Sequence, residues 1–211
     1  MPSPFAPTWT LSMSEAIVRE ALRLHVMAAI AGAKETVDEL WVPRSNERAD
    51  IAVLGRWMDG FEIKTDRDTL KRLPRQVVAY GRLFDRCTAV IADRHRGQAE
   101  AILPDWWGIT TVRVNGSVSF TTVRQPRKNP TIDPEILVRL LWRGEAMDAL
   151  VDLGHDPDRK ASRGSLWADL LRVASLAQLR SVVRGALLSR DLRQAKLPTR
   201  RAVAAGRAPG Q

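Results

Sequence analysis

A single cysteine, Cys87, is all the thiol this 211-residue chain holds. No intramolecular disulfide can form, and no zinc knuckle can be built from thiolates. Cys87 stands just before an apolar run, which suits a buried structural thiol. Histidine is nearly as scarce. His25, His95 and His155 are scattered, with no metal-ligand spacing between them. His25, set among apolar residues, reads as core-facing; the other two read as loop residues. No run of eighteen apolar residues occurs, so no membrane-spanning helix is expected. Residues 1–10 lack a basic segment followed by an apolar stretch, so no secretory signal is expected. These absences point to an intracellular protein, and the expected location is the cytoplasm. Internal repeats are absent as well.

What is present is positive charge. Lys and Arg number 33 against 24 Asp and Glu, giving a formal net charge of +9 and a pI near 10.7. A basic surface concentrates polyanions, of which nucleic acid is the common one. Arginine outnumbers lysine, and its planar fork suits bidentate phosphate contacts. Hydrophobic residues make up 45% of the chain, enough for a real core.

Along the chain, residues 1–13 read as a loose proline-containing lead-in. Ser14–Ala31 reads as a helix, with Ile17, Ala21, Leu24 and Ala28 at helical spacing. Val37–Val42, Arg48–Leu54 and Gly60–Thr65 read as strands, with a turn over Gly55–Gly60. A helix is expected from Asp68 or Thr69 to about Phe84, with Pro74 tolerated in its first turn. Thr88–Ala92 reads as a buried strand, and Gly97–Leu103 as a helix. Ile109–Val114 and Ser117–Val123 flank Asn115-Gly116, a type I′ hairpin signal. Beyond the linker at residues 124–131 only helices are expected, at Pro134–Leu153, Ser165–Ala174 and Leu176–Leu188. The expected organisation is therefore an α/β domain over residues 14–125 and a small all-helical region over 132–190. A basic tail follows over 191–211, with a composition typical of disorder.

The chemistry-bearing segment is Arg48-Ala-Asp-Ile-Ala-Val-Leu followed by Gly60-Phe-Glu-Ile-Lys. Residues two apart on a strand share a face, so Glu62 and Lys64 project together. If the two strands pair through the intervening turn, Asp50 reaches the same edge. Two carboxylates and an ammonium would then surround one point. Paired carboxylate oxygens suit Mg²⁺, and a lysine beside a metal-bound water could orient it or stabilise phosphorane charge. The plainer reading is a solvated strand with alternating charges.

This arrangement resembles the PD-(D/E)xK nuclease superfamily, through Asp50, Glu62 and Lys64, with eleven residues between Asp50 and Glu62. Ala49 stands where the family name has proline. The order helix, strand, strand with Asp, strand with Glu-x-Lys, helix, strand is also the family's. Arg75-Gln-Val-Val-Ala-Tyr places Gln76 and Tyr80 at i and i+4. That resembles the Gln-x-x-x-Tyr element of the RecB-like branch. The resemblance covers about residues 15–123.

It implies a restriction-endonuclease-like mixed central sheet flanked by helices, and a metal-dependent deoxyribonuclease using Mg²⁺ or Mn²⁺. Asp50 and Glu62 would bind the metal, with the Ile63 carbonyl contributing. Lys64 would activate or orient water, and Gln76 and Tyr80 would support the site. Glu15, Glu20 and Glu39 are the candidates for a further metal-site acid. The implied setting is DNA repair or a mobile element.

Arg67, Lys71, Arg72 and Arg75 beside the site are candidate phosphate clamps, and Trp106-Trp107 a candidate base-stacking pair. The partner expected is DNA, with RNA left open and a homodimer conceivable. No membrane and no small organic cofactor are expected. In the helical region, Ala149–Gly154 and Ser162–Leu171 resemble a SAP-type DNA-binding module; a helical packing appendage is the alternative. For the whole chain the rival to a nuclease is a non-catalytic nucleic-acid-binding or regulatory protein on the same fold.

Overall fold

Val18, Leu22 and Val26 recur at helical spacing along α1 (Thr10–Ala29), and all three are buried. Their partners are Ile51, Val53, Phe61, Ile63, Val90 and Val112 on one face of a sheet. The computed structural model describes residues 10–190, with side chains described from residue 15 onward. The expected tail at 191–211 lies outside the described residues. So does the lead-in, apart from the four residues that begin α1. The stripe expected to face the core, Ile17 and Leu24, is exposed instead. Two apolar stripes at the same spacing lie side by side on this helix, and periodicity alone does not choose between them. His25 is likewise exposed, with its ring 4.9 Å from that of Phe120.

The sheet has six strands in the order β1 (Glu35–Trp41), β2 (Arg48–Leu54), β3 (Met58–Lys64), β4 (Arg86–Ala92), β5 (Gly108–Asn115) and β6 (Ser117–Arg124). The β1–β2, β2–β3 and β5–β6 pairs are antiparallel, while β3–β4 and β4–β5 are parallel. Parallel neighbours need crossovers. These are α2 (Leu73–Gly81), preceded by a 3₁₀ turn at Leu70–Arg72, and α3 (Arg96–Ile102). The result is an α/β protein with a mixed sheet, as the sequence implies. The β5–β6 hairpin forms at Asn115-Gly116, but only Gly116 has a positive φ, +72°. The turn is therefore not type I′, which needs two such residues.

The second face of the sheet carries the larger core. Ala52, Leu54, Met58, Cys87, Ala89, Ile91 and Ile109 meet residues of α2 and of four later helices. These are α4 (Pro134–Val138), α5 (Arg143–Asp152), α6 (Arg163–Val173) and α7 (Leu176–Ser189). The single helix expected over 134–153 is broken in two. The Glu145 carboxylate accepts the Trp142 backbone N–H at 2.7 Å and starts a new helix there. Cys87 is fully buried, and burial pushes its thiol well above the ordinary range. Trp107 is buried and stacked 5.8 Å from Tyr80. Trp107 is core, and only the half-buried Trp106 is left of the stacking pair.

Candidate functional site

The β2–β3 register sets Ile51 against Phe61 and Ala52 against Gly60, which brings Asp50 alongside Glu62. Asp50, Glu62, Lys64 and Gln76 line one polar cleft of about 430 Å³ with Glu15, Arg19, Glu39 and Arg72. The sequence-based constellation is thus brought together. What each carboxylate does there differs from the expectation.

Glu62 is buried and fully engaged. Its Oε1 accepts from Gln76 Nε2 over 2.5 Å and from the Lys64 ammonium; its Oε2 accepts from the Tyr80 hydroxyl. The Tyr80 oxygen also lies 2.5 Å from the Arg48 carbonyl. Burial first, and the charge on Glu62 second, push the Tyr80 pKa far up, so this hydroxyl stays protonated as a donor. Asp50 Oδ2 accepts the Ile63 backbone N–H at 2.7 Å, and Oδ1 faces Arg19 Nη2 at 3.1 Å. Burial, and then the neighbouring Glu62 charge, push the Asp50 pKa up to about 7 against the pull of Ile63 N–H, Arg19 and Lys64.

Arg19 is the residue that sequence reasoning missed. From α1 it donates to Glu39 Oε1 at 2.6 Å, Glu15 Oε1 at 3.0 Å and the Asp50 carbonyl at 3.1 Å. Burial works against its charge, but the three carboxylates outweigh that and raise its pKa. The sequence offers only Glu15 four residues before it, a spacing that pairs the two on one helix face but does not point to Asp50 or Glu39. Glu39 meets it from within β1 with a φ of +53°, a left-handed conformation costly for a non-glycine residue. Of the three candidate extra acids, Glu15 and Glu39 reach the cleft; Glu20 pairs with Arg23 instead.

Glu47 is a second missed residue. It is buried and holds Arg72 at 2.8 Å, with Arg75 at 3.8 Å. Two of the four candidate clamps are thus partly neutralised. Arg67 and Lys71 are exposed, without an ion pair among the described residues.

Could Asp50 and Glu62 hold Mg²⁺ or Mn²⁺? A divalent ion needs carboxylate oxygens that converge on it and are free of other donors. Here the four oxygens are taken by Lys64, Gln76, Tyr80, Arg19 and the Ile63 N–H. The Ile63 backbone N–H is committed to Asp50. Among the described residues, no three His, Cys, Asp or Glu side chains are grouped to hold an ion. The residues as arranged do not fit the group.

The geometry thus defines an α/β protein with a closed ionic cluster at the ends of β2 and β3 and a basic rim beside it. A family profile described as Bacteriophage P4 protein cII matches residues 15–200. The chain belongs to that family. Protein cII of Enterobacteria phage P4 is 27% identical over 119 residues, which are 56% of this chain and 45% of that protein. The chain therefore aligns with about half of that relative's length.

This membership overturns the PD-(D/E)xK assignment. The deoxyribonuclease expectation falls with it, as do the hydrolase and magnesium-binding descriptions. One residue pattern serves both kinds of site. Two acids and a lysine on alternate strand positions are what a metal-dependent hydrolase needs. They are equally what an internally balanced ion cluster needs. Among the described residues no helix is long and apolar enough to cross a membrane.

Proposed function

We propose that this chain is a non-catalytic, nucleic-acid-binding regulatory protein, built on a sheet of restriction-endonuclease-like arrangement and acting on DNA. The observation that carries the reading is the closure of the cluster. Exposed carboxylates facing a phosphate would repel it. Here Asp50 and Glu62 each meet a cation inside the protein, Arg19 and Lys64, with Arg19 shared by the half-exposed Glu15 and Glu39, so neither buried carboxylate needs a metal as its partner. The rim then acts through Arg67 and Lys71, with Arg72 and Arg75 held in place by Glu47. Such contacts go to the phosphate backbone and position the protein without reading sequence. Membership of a phage protein family, and a net charge of +9, support the same reading.

The test is fluorescence anisotropy with labelled duplex DNA, followed by recovery of the DNA on a denaturing gel. Binding should weaken steeply with salt, persist in EDTA without any divalent ion, and leave the DNA uncut with or without Mg²⁺. The double variant Arg67→Ala/Lys71→Ala should reduce the slope of log affinity against log salt by about 2. Absence of binding at low salt would sink the proposal. An unaltered slope would move the interface elsewhere on the molecule.

A further inference from the structure

We propose that the cleft under the C-terminal half of α1 is a binding site for a small aromatic organic acid, separate from the ionic cluster. The cluster sits where β3 ends, at Glu62–Lys64. This second cleft, of about 380 Å³, lies over Asp59 and Phe61 nearer the start of β3, on the face that α1 only partly covers. Its volume falls within the range of about 300–1,000 Å³ usual for small-molecule pockets.

Three features select the ligand. The floor and inner wall are apolar: Phe61, Val90, Leu22 and Val26, all buried. A flat carbon body fits such a surface. A polar edge runs beside it. Thr88 and Thr110 are more than nine-tenths buried and line the cleft, and no hydrogen bond among the described residues takes up their hydroxyls. Thr122 is the cross-strand partner of Thr110 and lines it too. Gly108 leaves room for the Thr88 hydroxyl, since a Cβ there would come within 2.8 Å of Oγ1. A row of hydroxyls without protein partners can donate to and accept from the polar edge of a ligand.

The third feature is charge. Asp59 is buried, but both of its oxygens accept from Arg86, one of them at 2.8 Å. That pair balances itself and still leaves Arg86 with N–H groups to donate. Arg56 is then the unmatched charge at the mouth. It is exposed, has no ion pair among the described residues, and lies 5.5 Å from the centre of the Trp57 ring. A cation and an indole at the mouth of an apolar cleft favour an anion with an aromatic body.

The experiment is a fluorescence titration of the folded full chain with 8-anilinonaphthalene-1-sulfonate, repeated with uncharged N-phenyl-1-naphthylamine. The expected result is one saturable sulfonate site per chain. Arg56→Ala should weaken it by roughly tenfold, a loss of ~1.4 kcal/mol, while hardly changing the uncharged dye. Thr110→Phe should block both dyes by filling the cleft, provided circular dichroism shows it folded; if it does not fold, Arg56→Ala decides. Trp142→Ala, which removes an exposed aromatic elsewhere, should change nothing. Non-saturable binding, loss in Trp142→Ala but not in Arg56→Ala, or equal affinity for both dyes would overturn the proposal. None of these outcomes depends on DNA binding.

Discussion

At the residue scale, the cluster behaves as an internal charge exchange. Burying a carboxylate is costly unless it is paired and hydrogen-bonded. Glu62 is satisfied by three donors, and Asp50 by an arginine and a backbone N–H. Asp50 nevertheless sits at a pKa of about 7, above its ordinary 3.8, because burial and Glu62 outweigh its partners. The sign follows. Between these values the folded chain holds more protons than the unfolded one, so this group's contribution falls as pH rises and levels off above about 7. Asp50→Asn should therefore come close to the native chain in stability near pH 4 and gain on it towards pH 8, by at most on the order of 4 kcal/mol. Urea melts at three pH values check this. A gap that does not change with pH would show that Asp50 does not carry the proton. Tyr80→Phe is a second probe at this scale. It keeps the stacking on Trp107 and the contact with Phe84 but strips one donor from Glu62. The expected loss is about 1–3 kcal/mol, read in the same melts.

At the element scale, strand packing is where a small change would be felt most. Gly60 in β3 lies under the Phe84 ring, and a Cβ at this position would come within 2.6 Å of it. Gly60→Ala should cost about 1–3 kcal/mol through overpacking. Phe84→Leu, made in the same chain, should recover part of that loss if the ring is the obstacle; thermal melts of the single and double variants decide it. β3 was legible in the sequence because Phe61 and Ile63 alternate with Glu62 and Lys64, and both β2 and β3 lie close to their expected bounds. The inner stripe of α1 was not, since Ile17/Leu24 and Val18/Leu22 fit the same spacing. Nor was the break before Trp142, which is made by a Glu145 side chain folding back and leaves the apolar pattern intact. The juxtaposition of Asp50, Glu62 and Lys64 followed from strand geometry alone. What they do together did not, because Arg19 arrives from a helix more than thirty residues away from Asp50. Local spacing carries no trace of such a partner.

At the scale of the whole molecule, the four C-terminal helices and the sheet share one core. Leu54, Met58, Tyr80, Phe84 and Cys87 belong to the same cluster as Ile136, Leu150, Leu170, Val183 and Leu187. An ionic contact reinforces this. Asp85 is buried and accepts the Met58 N–H at 2.8 Å, while Arg180 of α7 approaches its other oxygen to 2.8 Å. Neither Asp85 Oδ1 nor Arg180 Nε is aligned for a hydrogen bond, so that contact acts as an ion pair. Arg184, one turn on, stands 3.9 Å from the same carboxylate. Removing α7 would leave Asp85 without its arginines, and breaking a buried pair from one side costs about 3–5 kcal/mol. Removing all four helices would also bare the apolar face of β2–β4, a loss comparable with the whole stability of a domain, about 5–15 kcal/mol. A fragment of residues 14–125 should therefore fail to fold cooperatively, giving a poorly dispersed amide proton spectrum and no sharp thermal transition, although it contains every residue of the ionic cluster. A well-dispersed spectrum from that fragment would mean that the sheet and α1 suffice alone, and that the C-terminal helices are an appendage resting on a finished core.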